Sequence, residues 1–325
     1  MSRRLLITGA AGFIGSNFAR FLLETTDYSV TSLDRLDEAG SLERLAGLKS
    51  RYPTRLECVW HDLRAPISPW LLRGREFGAI VHMAAGSHVD RSVRDPVGFV
   101  MDNVVGTANL LEYARHQQPG VKVLYFSTDE VFGPAGPGEV FDESARFNPE
   151  NPYAASKAGG EALCPAYAAQ YGMPIVVTHC SNAYGPNQHP EKFVPLCIDR
   201  IQRGETIQIH ARGGIVSSRL YIHVDDVSRA TLTVLERGGV ICDSTSGRYN
   251  IRAMAELSNL YVAQTIASQL GQPLRYELVE NPPNRPKPDL RYALSDAKLR
   301  ALGWEPTVDF ETGLAALLGG TRVAA

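Results

Sequence analysis

Through the first 180 residues, short apolar runs rich in β-formers alternate with longer stretches of helical periodicity. The runs fall at 4–8, 28–33, 56–61, 79–83, 121–126 and 175–180. Each is short, bounded by polar or glycine positions, and reads as a buried strand. Between them, 16–24, 96–116 and 153–171 carry the helical pattern, with Val100, Val104, Thr107, Ala108 and Leu111 on one side of the second. Strand–helix alternation of this kind predicts an α/β chain built on a doubly wound parallel sheet. After 181 the pattern changes. Residues 182–193 are polar and broken by proline, and shorter elements follow: a helix at 194–202, strands at 207–210 and 220–226, a helix at 227–236, a strand at 249–251 and a helix at 254–270. A proline-rich loop at 282–288 comes last. The expected partition is a sheet domain of 1–180 plus about 205–240. A smaller, interleaved α+β C-terminal domain takes 181–204 and about 241–325.

Chemistry first enters at the end of the first strand. Gly9-Ala10-Ala11-Gly12-Phe13-Ile14-Gly15 stands between strand and helix. Gly9 permits the tight turn, Gly12 lets backbone approach a pyrophosphate, and Gly15 lets helix and strand pack closely, as in the Rossmann dinucleotide fold. Phe13 and Ile14 lie in this loop, just before the helix whose N-terminus would face the phosphates. The second strand ends in Asp34, an acid placed to accept ribose hydroxyls and repel a 2′-phosphate, which argues for NAD over NADP. Arg35 beside it weakens that preference. Asp62 and Leu63 end the third strand as candidate adenine contacts. Ala84 and Ala85 follow the fourth, small enough for a cofactor to pass close to the backbone. The bland alternative is a glycine turn with a surface aspartate.

Ser127-Thr128-Asp129-Glu130 ends the fifth strand, at the sheet edge where open α/β folds bind ligands. Two adjacent acids there would be costly if they served packing alone. Tyr153 and Lys157, four apart, share one helix face, and a lysine near a tyrosine lowers the tyrosine pKa. Thr128, Asp129, Glu130, Tyr153 and Lys157 are therefore the candidate catalytic residues. Ser87 and His88 are candidates to face a substrate, the alternative being a helix cap by Ser87 or Ser92. Asn103 is expected to bond backbone.

Composition narrows the classes. Lys+Arg 33 against Asp+Glu 35 leaves −2, with no bulk pull toward nucleic acid or anionic membrane. No apolar run has the length of a membrane span. The five cysteines are scattered without a CxxC pair, and are expected to be buried free thiols in a reducing cytoplasm. No metal-ligand spacing is found.

With those residues in view, the chain resembles the extended short-chain dehydrogenase/reductases, and within them the nucleotide-sugar 4,6-dehydratases of the dTDP-glucose type. The likeness runs nearly end to end. It rests on the glycine loop, Leu33-Asp34-Arg35-Leu36, Ser87-His88-Val89-Asp90-Arg91-Ser92, Ser127 to Gly133, Tyr153-Ala154-Ala155-Ser156-Lys157 and Tyr184-Gly185-Pro186. It extends to Pro190-Glu191-Lys192, Arg285-Pro286 and Arg291-Tyr292. The Thr-Asp-Glu triplet discriminates, because sugar epimerases of the superfamily usually lack the acid pair. Departures include Gly86 where the family usually has glutamate, Ala183 for a second asparagine, Glu38 for tyrosine and Pro288 for histidine. Residues 211–218 also replace a shorter turn.

The resemblance implies NAD-dependent conversion of an NDP-hexose, dTDP-glucose before others, to the 4-keto-6-deoxy product by a cytoplasmic hydro-lyase that pairs as a homodimer. It implies Tyr153 as base at the C4 hydroxyl, aided by Lys157 and by Thr128 or Ser127, Glu130 as base at C5 and Asp129 as acid at C6. The smaller domain would bind the sugar nucleotide, with Asn182, Lys192, Phe193, Arg219 and Arg291 as candidate contacts. A 4-epimerase, which needs no acid pair, and a non-catalytic NAD-binding regulatory protein are the alternatives, and 5,6-type dehydration is a variant outcome.

Overall fold

The computed structural model describes residues 3–37, 40–243, 245–280 and 289–320. Its strands in chain order are β1 (Arg4–Thr8), β2 (Ser29–Asp34), β3 (Leu56–Trp60), β4 (Ala79–His82), β5 (Lys122–Thr128), β6 (Ile175–Cys180), β7 (Asn182–Tyr184), β8 (Ile207–Arg212), β9 (Ile215–Val216), β10 (Ser218–His223), β11 (Arg248–Ile251), β12 (Glu256–Ser258) and β13 (Tyr276–Val279). Seven of them form one sheet in the order β11-β6-β5-β4-β1-β2-β3, every pairing parallel. Strand order reverses between β1 and β4, which opens a crevice beyond their carboxyl ends.

The helices are α1 (Phe13–Thr25), α2 (Leu42–Arg51), α3 (Val89–Arg94), α4 (Pro96–Val100), α5 (Gly106–Gln117), α6 (Pro152–Tyr171), α7 (Phe193–Gln202), α8 (Val224–Arg237), α9 (Asn259–Leu270), α10 (Ala297–Arg300) and α11 (Phe310–Leu318). The strand period of two sends alternate side chains to opposite faces. Leu5 and Ile7 join Phe18 and Leu22 of α1 and Val227 and Val234 of α8 in one core. Leu6, Ile80, Val123 and Tyr125 join Leu110, Leu111 and Ala114 of α5 in the other. A third cluster, with Tyr184, Val194, Ile209, Val262 and Phe310, holds the smaller region together.

The structure departs from the sequence expectations in ways that have local causes. The helix expected at 96–116 is interrupted by a π turn, Met101–Val105. There Asn103 turns inward: its Oδ1 accepts from the Gly86 N–H at 2.8 Å, and its Nδ2 donates to the Gly86 carbonyl at 3.0 Å and to Ser156 Oγ at 2.8 Å. The strand expected at 220–226 stops at His223, whose ring caps α8. The helix expected from 254 begins only at Asn259, since Glu256–Ser258 pairs with β10 instead. Neither Ser87 nor Ser92 caps α3; its N-cap is His88, without a side-chain bond. Cys242 is exposed and Cys58 partly so, while the other three free cysteines are buried as expected.

Sheet membership also corrects the partition. Within 205–240, β8 and β10 belong to two small sheets, β13-β8-β9 and β12-β10-β7; α8 packs on the main sheet. The reason is visible in β8, where Ile207, Ile209 and Ala211 are buried and Gln208 and Arg212 exposed, a pattern for a sheet covered on one face. Conversely, β11 lies in the stretch given to the C-terminal domain, yet it completes the main sheet. Tyr249, Asn250 and Ile251 are all buried there. Glu38, Ala39, and the 282–288 loop with Arg285 and Pro288 lie outside the described residues.

Candidate active site

A cleft of about 280 Å³ runs across the crevice at the strand ends. Its first wall is the glycine loop. Gly9 holds φ +74°, and a Cβ there would lie 2.6 Å from the Ala84 N. A Cβ on Gly15 would strike the Gly9 carbonyl, so the loop and β4 can close up only as glycine. No side chain caps α1 at Gly12, which leaves the amides of its first turn, at Phe13 and Ile14, for an anion. A pyrophosphate fits this cradle. Asp34 lines the cleft too, its carboxylate fixed by the amides of Ala11 (3.0 Å) and Leu36 (2.9 Å). Asp62, Leu63, Ala84 and Ala85 complete this end.

Around Asp34 the sequence reading missed an ionic cluster. Arg35 donates to both oxygens of Asp102, in the π turn, and to Asp37. Arg64 donates to Asp62, pulling its pKa down against burial. Asp102 carried no motif. Only the fold brings it 67 residues back to Arg35.

The other end of the cleft is built on β5 and the start of α6. After Thr128 the chain enters a 3₁₀ turn, Asp129–Phe132, and Thr128 Oγ1 accepts from the Glu130 N–H at 3.4 Å. The same hydroxyl donates to Asp129 Oδ1 at 3.1 Å. Asp129 Oδ2, buried, has no partner among the described residues. Asn151 spans two jobs: its Oδ1 caps α6 through the Ala154 N–H at 2.8 Å, and its Nδ2 donates to Glu130 Oε2 at 2.9 Å. Pro152 at the first helical position and Ser92 Oγ on the Tyr153 N–H fix the entry of the helix.

The electrostatics follow from burial. Loss of solvent first, and the neighbouring Glu130 second, push Asp129 up to about 7. Glu130 is also raised by burial, with Asn151 opposing. Tyr153 corrects the sequence expectation. Burial and the Glu130 carboxyl push its hydroxyl well above the usual range, and a hydrogen bond with Thr128 pulls the other way. Lys157 Nζ instead donates to the Phe126 carbonyl at 2.7 Å and lies 4.2 Å from the centre of the Tyr125 ring. Burial lowers this ammonium to about 8.

Ser87, Asn182 and Lys192 line the cleft, Lys192 with its Nζ on the Ser87 carbonyl at 3.0 Å. Beside them, Ser181 Oγ and Asn182 Oδ1 are buried without partners among the described residues, polar atoms suited to a polar ligand. Four candidates do not line it. His88 pairs with Glu191 at 3.1 Å. Phe193 starts α7 and packs against the third core. Arg219 donates to the carbonyls of Ser218, Leu290 and Asp289 and stacks on Tyr292, although its charge still reaches both acids. Arg291 is taken up by Glu256 and by the Gly136 and Glu139 carbonyls.

Known proteins share this chain's sequence pattern and fold. The family model described as GDP-mannose 4,6 dehydratase matches residues 6–317. The dTDP-glucose 4,6-dehydratase of Neisseria meningitidis serogroup B is 37% identical over 96% of this chain and 91% of its own. The dTDP-glucose 4,6-dehydratase of Streptomyces venezuelae, solved with NAD bound, is 37% identical with a TM-score of 0.85, covering 97% of this chain and 96% of its own. A UDP-glucose 4-epimerase of Thermus thermophilus, also solved with NAD, is 30% identical with a TM-score of 0.83 over 97% and 98%.

Proposed function

The chain belongs to the GDP-mannose 4,6-dehydratase family, among the extended short-chain dehydrogenase/reductases, and we propose that its substrate is dTDP-glucose. It is an NAD-dependent nucleotide-sugar 4,6-dehydratase, a hydro-lyase. The glycine cradle, the uncapped first turn of α1 and Asp34 would hold the dinucleotide. When bound, NAD supplies a hydride acceptor for C4 of the sugar and returns that hydride at C6.

In our reading Tyr153 takes the proton from the C4 hydroxyl as the hydride leaves; burial and Glu130 oppose the phenolate this requires, and the hydrogen bond with Thr128 favours it. Lys157 contributes a buried positive charge to that helix face. The resulting C4 ketone acidifies the proton on C5, and Glu130 removes it as general base. Asp129 gives its proton to the C6 hydroxyl, which leaves as water and creates the C5–C6 double bond; as hydride then adds at C6, Glu130 returns a solvent-exchanged proton to C5. One acid must be ionised and its neighbour neutral. Burial raises both, and the geometry favours Glu130 as the ionised one: Asn151 donates to its Oε2, whereas Asp129 Oδ2 has no partner among the described residues. Lys192 and Asn182 would meet the diphosphate, and the neighbouring Ser181 would take a polar group of the substrate. The observation that carries the reading is Asp129: a buried carboxyl in the cleft beside Glu130, its Oδ2 without a partner among the described residues and burial pushing it up to about 7.

The test is product analysis with dTDP-glucose. A 4,6-dehydratase gives a product lighter by one water, carrying solvent deuterium at C5. An epimerase gives no change of mass. Retained mass with inverted C4 would defeat the role given to the acid pair.

A homodimer is our finer reading of the assembly. Val93, Val97, Val100 and Met101 are exposed along α3, α4 and the π turn, an apolar strip that a second copy would cover. Light scattering on Val97→Asp against the unaltered protein decides it. Among the described residues no helix is long and apolar enough to cross a membrane. Free cysteines suit a reducing compartment, and we place the enzyme in the cytoplasm.

A further inference from the structure

Arg35 directly follows Asp34, and an arginine near that position is what receives the 2′-phosphate in dinucleotide sites that use NADP. In this chain the guanidinium is already engaged. Its Nη1 and Nη2 donate to the two oxygens of Asp102, a bidentate clasp. Its Nε and Nη2 reach Asp37 Oδ2 at 2.9 and 2.6 Å. Asp62 lies 3.8 Å from it. Two features let Asp102 take this place. It stands in the π turn that breaks the helix, and it faces Gly86. A Cβ at 86 would lie 3.2 Å from Asp102 Oδ2 and 3.1 Å from the Phe99 ring, tighter than ordinary contact. Among the described residues the charged groups lining this end are Asp34, Asp37, Asp62 and Asp102 against Arg35, Arg44 and Arg64, an excess of one negative charge.

We propose that Asp102 is a specificity-determining residue: by clasping Arg35 it withholds the guanidinium from a ribose 2′-phosphate, so that rejection of NADP rests on the Arg35–Asp102 pair as well as on Asp34. The proposal rests on the reading of this cleft as a dinucleotide site. A phosphate and a carboxylate compete for one planar fork of donors, and the carboxylate is covalently in place. With the clasp intact, an incoming 2′-phosphate meets four acids and an arginine already neutralised. With Asp102 made neutral, the same arginine becomes its partner.

The experiment denatures purified holoenzyme and measures NAD(H) and NADP(H) released, for the unaltered chain, Asp102→Asn and Asp102→Asn/Arg35→Ala produced in the same cells. Titration with NADP⁺, read by thermal shift, runs beside it. Asp102→Asn is expected to raise the NADP(H) to NAD(H) ratio about tenfold, the size of one charged partner exchanged. The double variant is expected to return to the unaltered ratio. A folded Asp102→Asn with no rise, or a rise that survives loss of Arg35, overturns the proposal. If Asp102→Asn fails to fold, Asp37→Asn on the exposed side of the same guanidinium must move the ratio the same way, by about threefold. An unaltered protein that releases no dinucleotide would instead overturn the reading of the cleft, and this proposal with it.

Discussion

At the β2 end of the cleft four aspartates stand among three arginines; at the β5 end two acids have one neutral donor each. Asp34 accepts two backbone amides, Asp102 and Asp37 share Arg35, and Asp62 has Arg64. Asp129 has the Thr128 hydroxyl and Glu130 has Asn151. The same chemical group is therefore met by guanidinium and amide donors at one end and starved of partners at the other. A carboxylate that keeps its charge can orient a ribose or repel a phosphate. One whose charge is penalised exchanges protons near neutrality, which dehydration requires. The difference separates a binding end from a reacting end without reference to any ligand.

The largest break in that comparison comes from removing the base. Glu130→Gln keeps the shape and the Asn151 contact but cannot take a proton. Product formation should fall about a thousandfold or more, within the usual range for general bases. Solvent deuterium at C5 should vanish while slow C4 oxidation persists. Turnover near the normal rate in this variant would end the assignment.

Asp129→Asn should cost about a hundredfold in rate and remove a limb of the pH profile. The acid works only while protonated, so the unaltered enzyme should lose activity as pH rises through about 7, and the variant should show no such fall. Stability carries the same sign. The folded pKa lies above the unfolded value, so the folded state holds a proton that the unfolded chain has released. This group's contribution is fully present below the unfolded value and is lost as pH rises through about 7. The variant should therefore melt higher than the unaltered chain at pH 8 and gain less at pH 5, by roughly 2 kcal/mol between the two.

Much of the binding end was legible in the sequence, because its chemistry is carried by backbone and by near neighbours. Gly9, Gly12 and Gly15 act through their lack of a side chain, and Asp34 ends a strand whose neighbours are all buried. The acid pair was legible as residues, since Asp129 and Glu130 are adjacent. Their unequal treatment was not, because it depends on Asn151 and on burial that only the folded chain defines. Asp102 was invisible: its value comes from a π turn that hydropathy reads as uninterrupted helix. Arg219 and Arg291 look like free cations in a polar stretch, yet their guanidinium donors go to carbonyls and to Glu256. A cation's spacing in sequence says little about which carbonyls the fold will bring to it. The strands β8 and β11 were assigned by position in the chain, whereas their burial patterns decide which sheet accepts them.

A milder change sharpens the reacting end. Asn151→Ser keeps an oxygen to cap α6 but is too short to reach Glu130. We expect stability close to the unaltered chain and a rate about tenfold lower. The lost donor opposed burial at Glu130, so the pKa of this base should climb and the acidic limb of the rate profile should move to higher pH. Asn151→Ala loses the cap as well, at about 1 kcal/mol of stability. A rate change without movement of the acidic limb would mean that Asn151 acts on the helix and not on the base.

The smallest expected effect lies at the binding end, and its smallness is the point. Asp62 lies at the rim, with both its principal bonds from Arg64, two residues away, and with Arg35 at 3.8 Å. Asp62→Asn removes one of four acids around Arg35, which Asp102 and Asp37 still neutralise, in a setting where solvent screens each pair. Exposed pairs of this kind contribute below about 1 kcal/mol. NAD retention should therefore change by less than about threefold, and the pH profile of turnover should stay where it is, since no proton is exchanged there. Charge neutralised by several partners tolerates the loss of one. Charge held against a single donor, as at Glu130, does not, and the two substitutions Asp62→Asn and Asn151→Ser set those cases side by side in the same enzyme. A pH profile displaced by Asp62→Asn would mean that the two ends are electrostatically coupled across the cleft, and the separation into binding and reacting ends would fail.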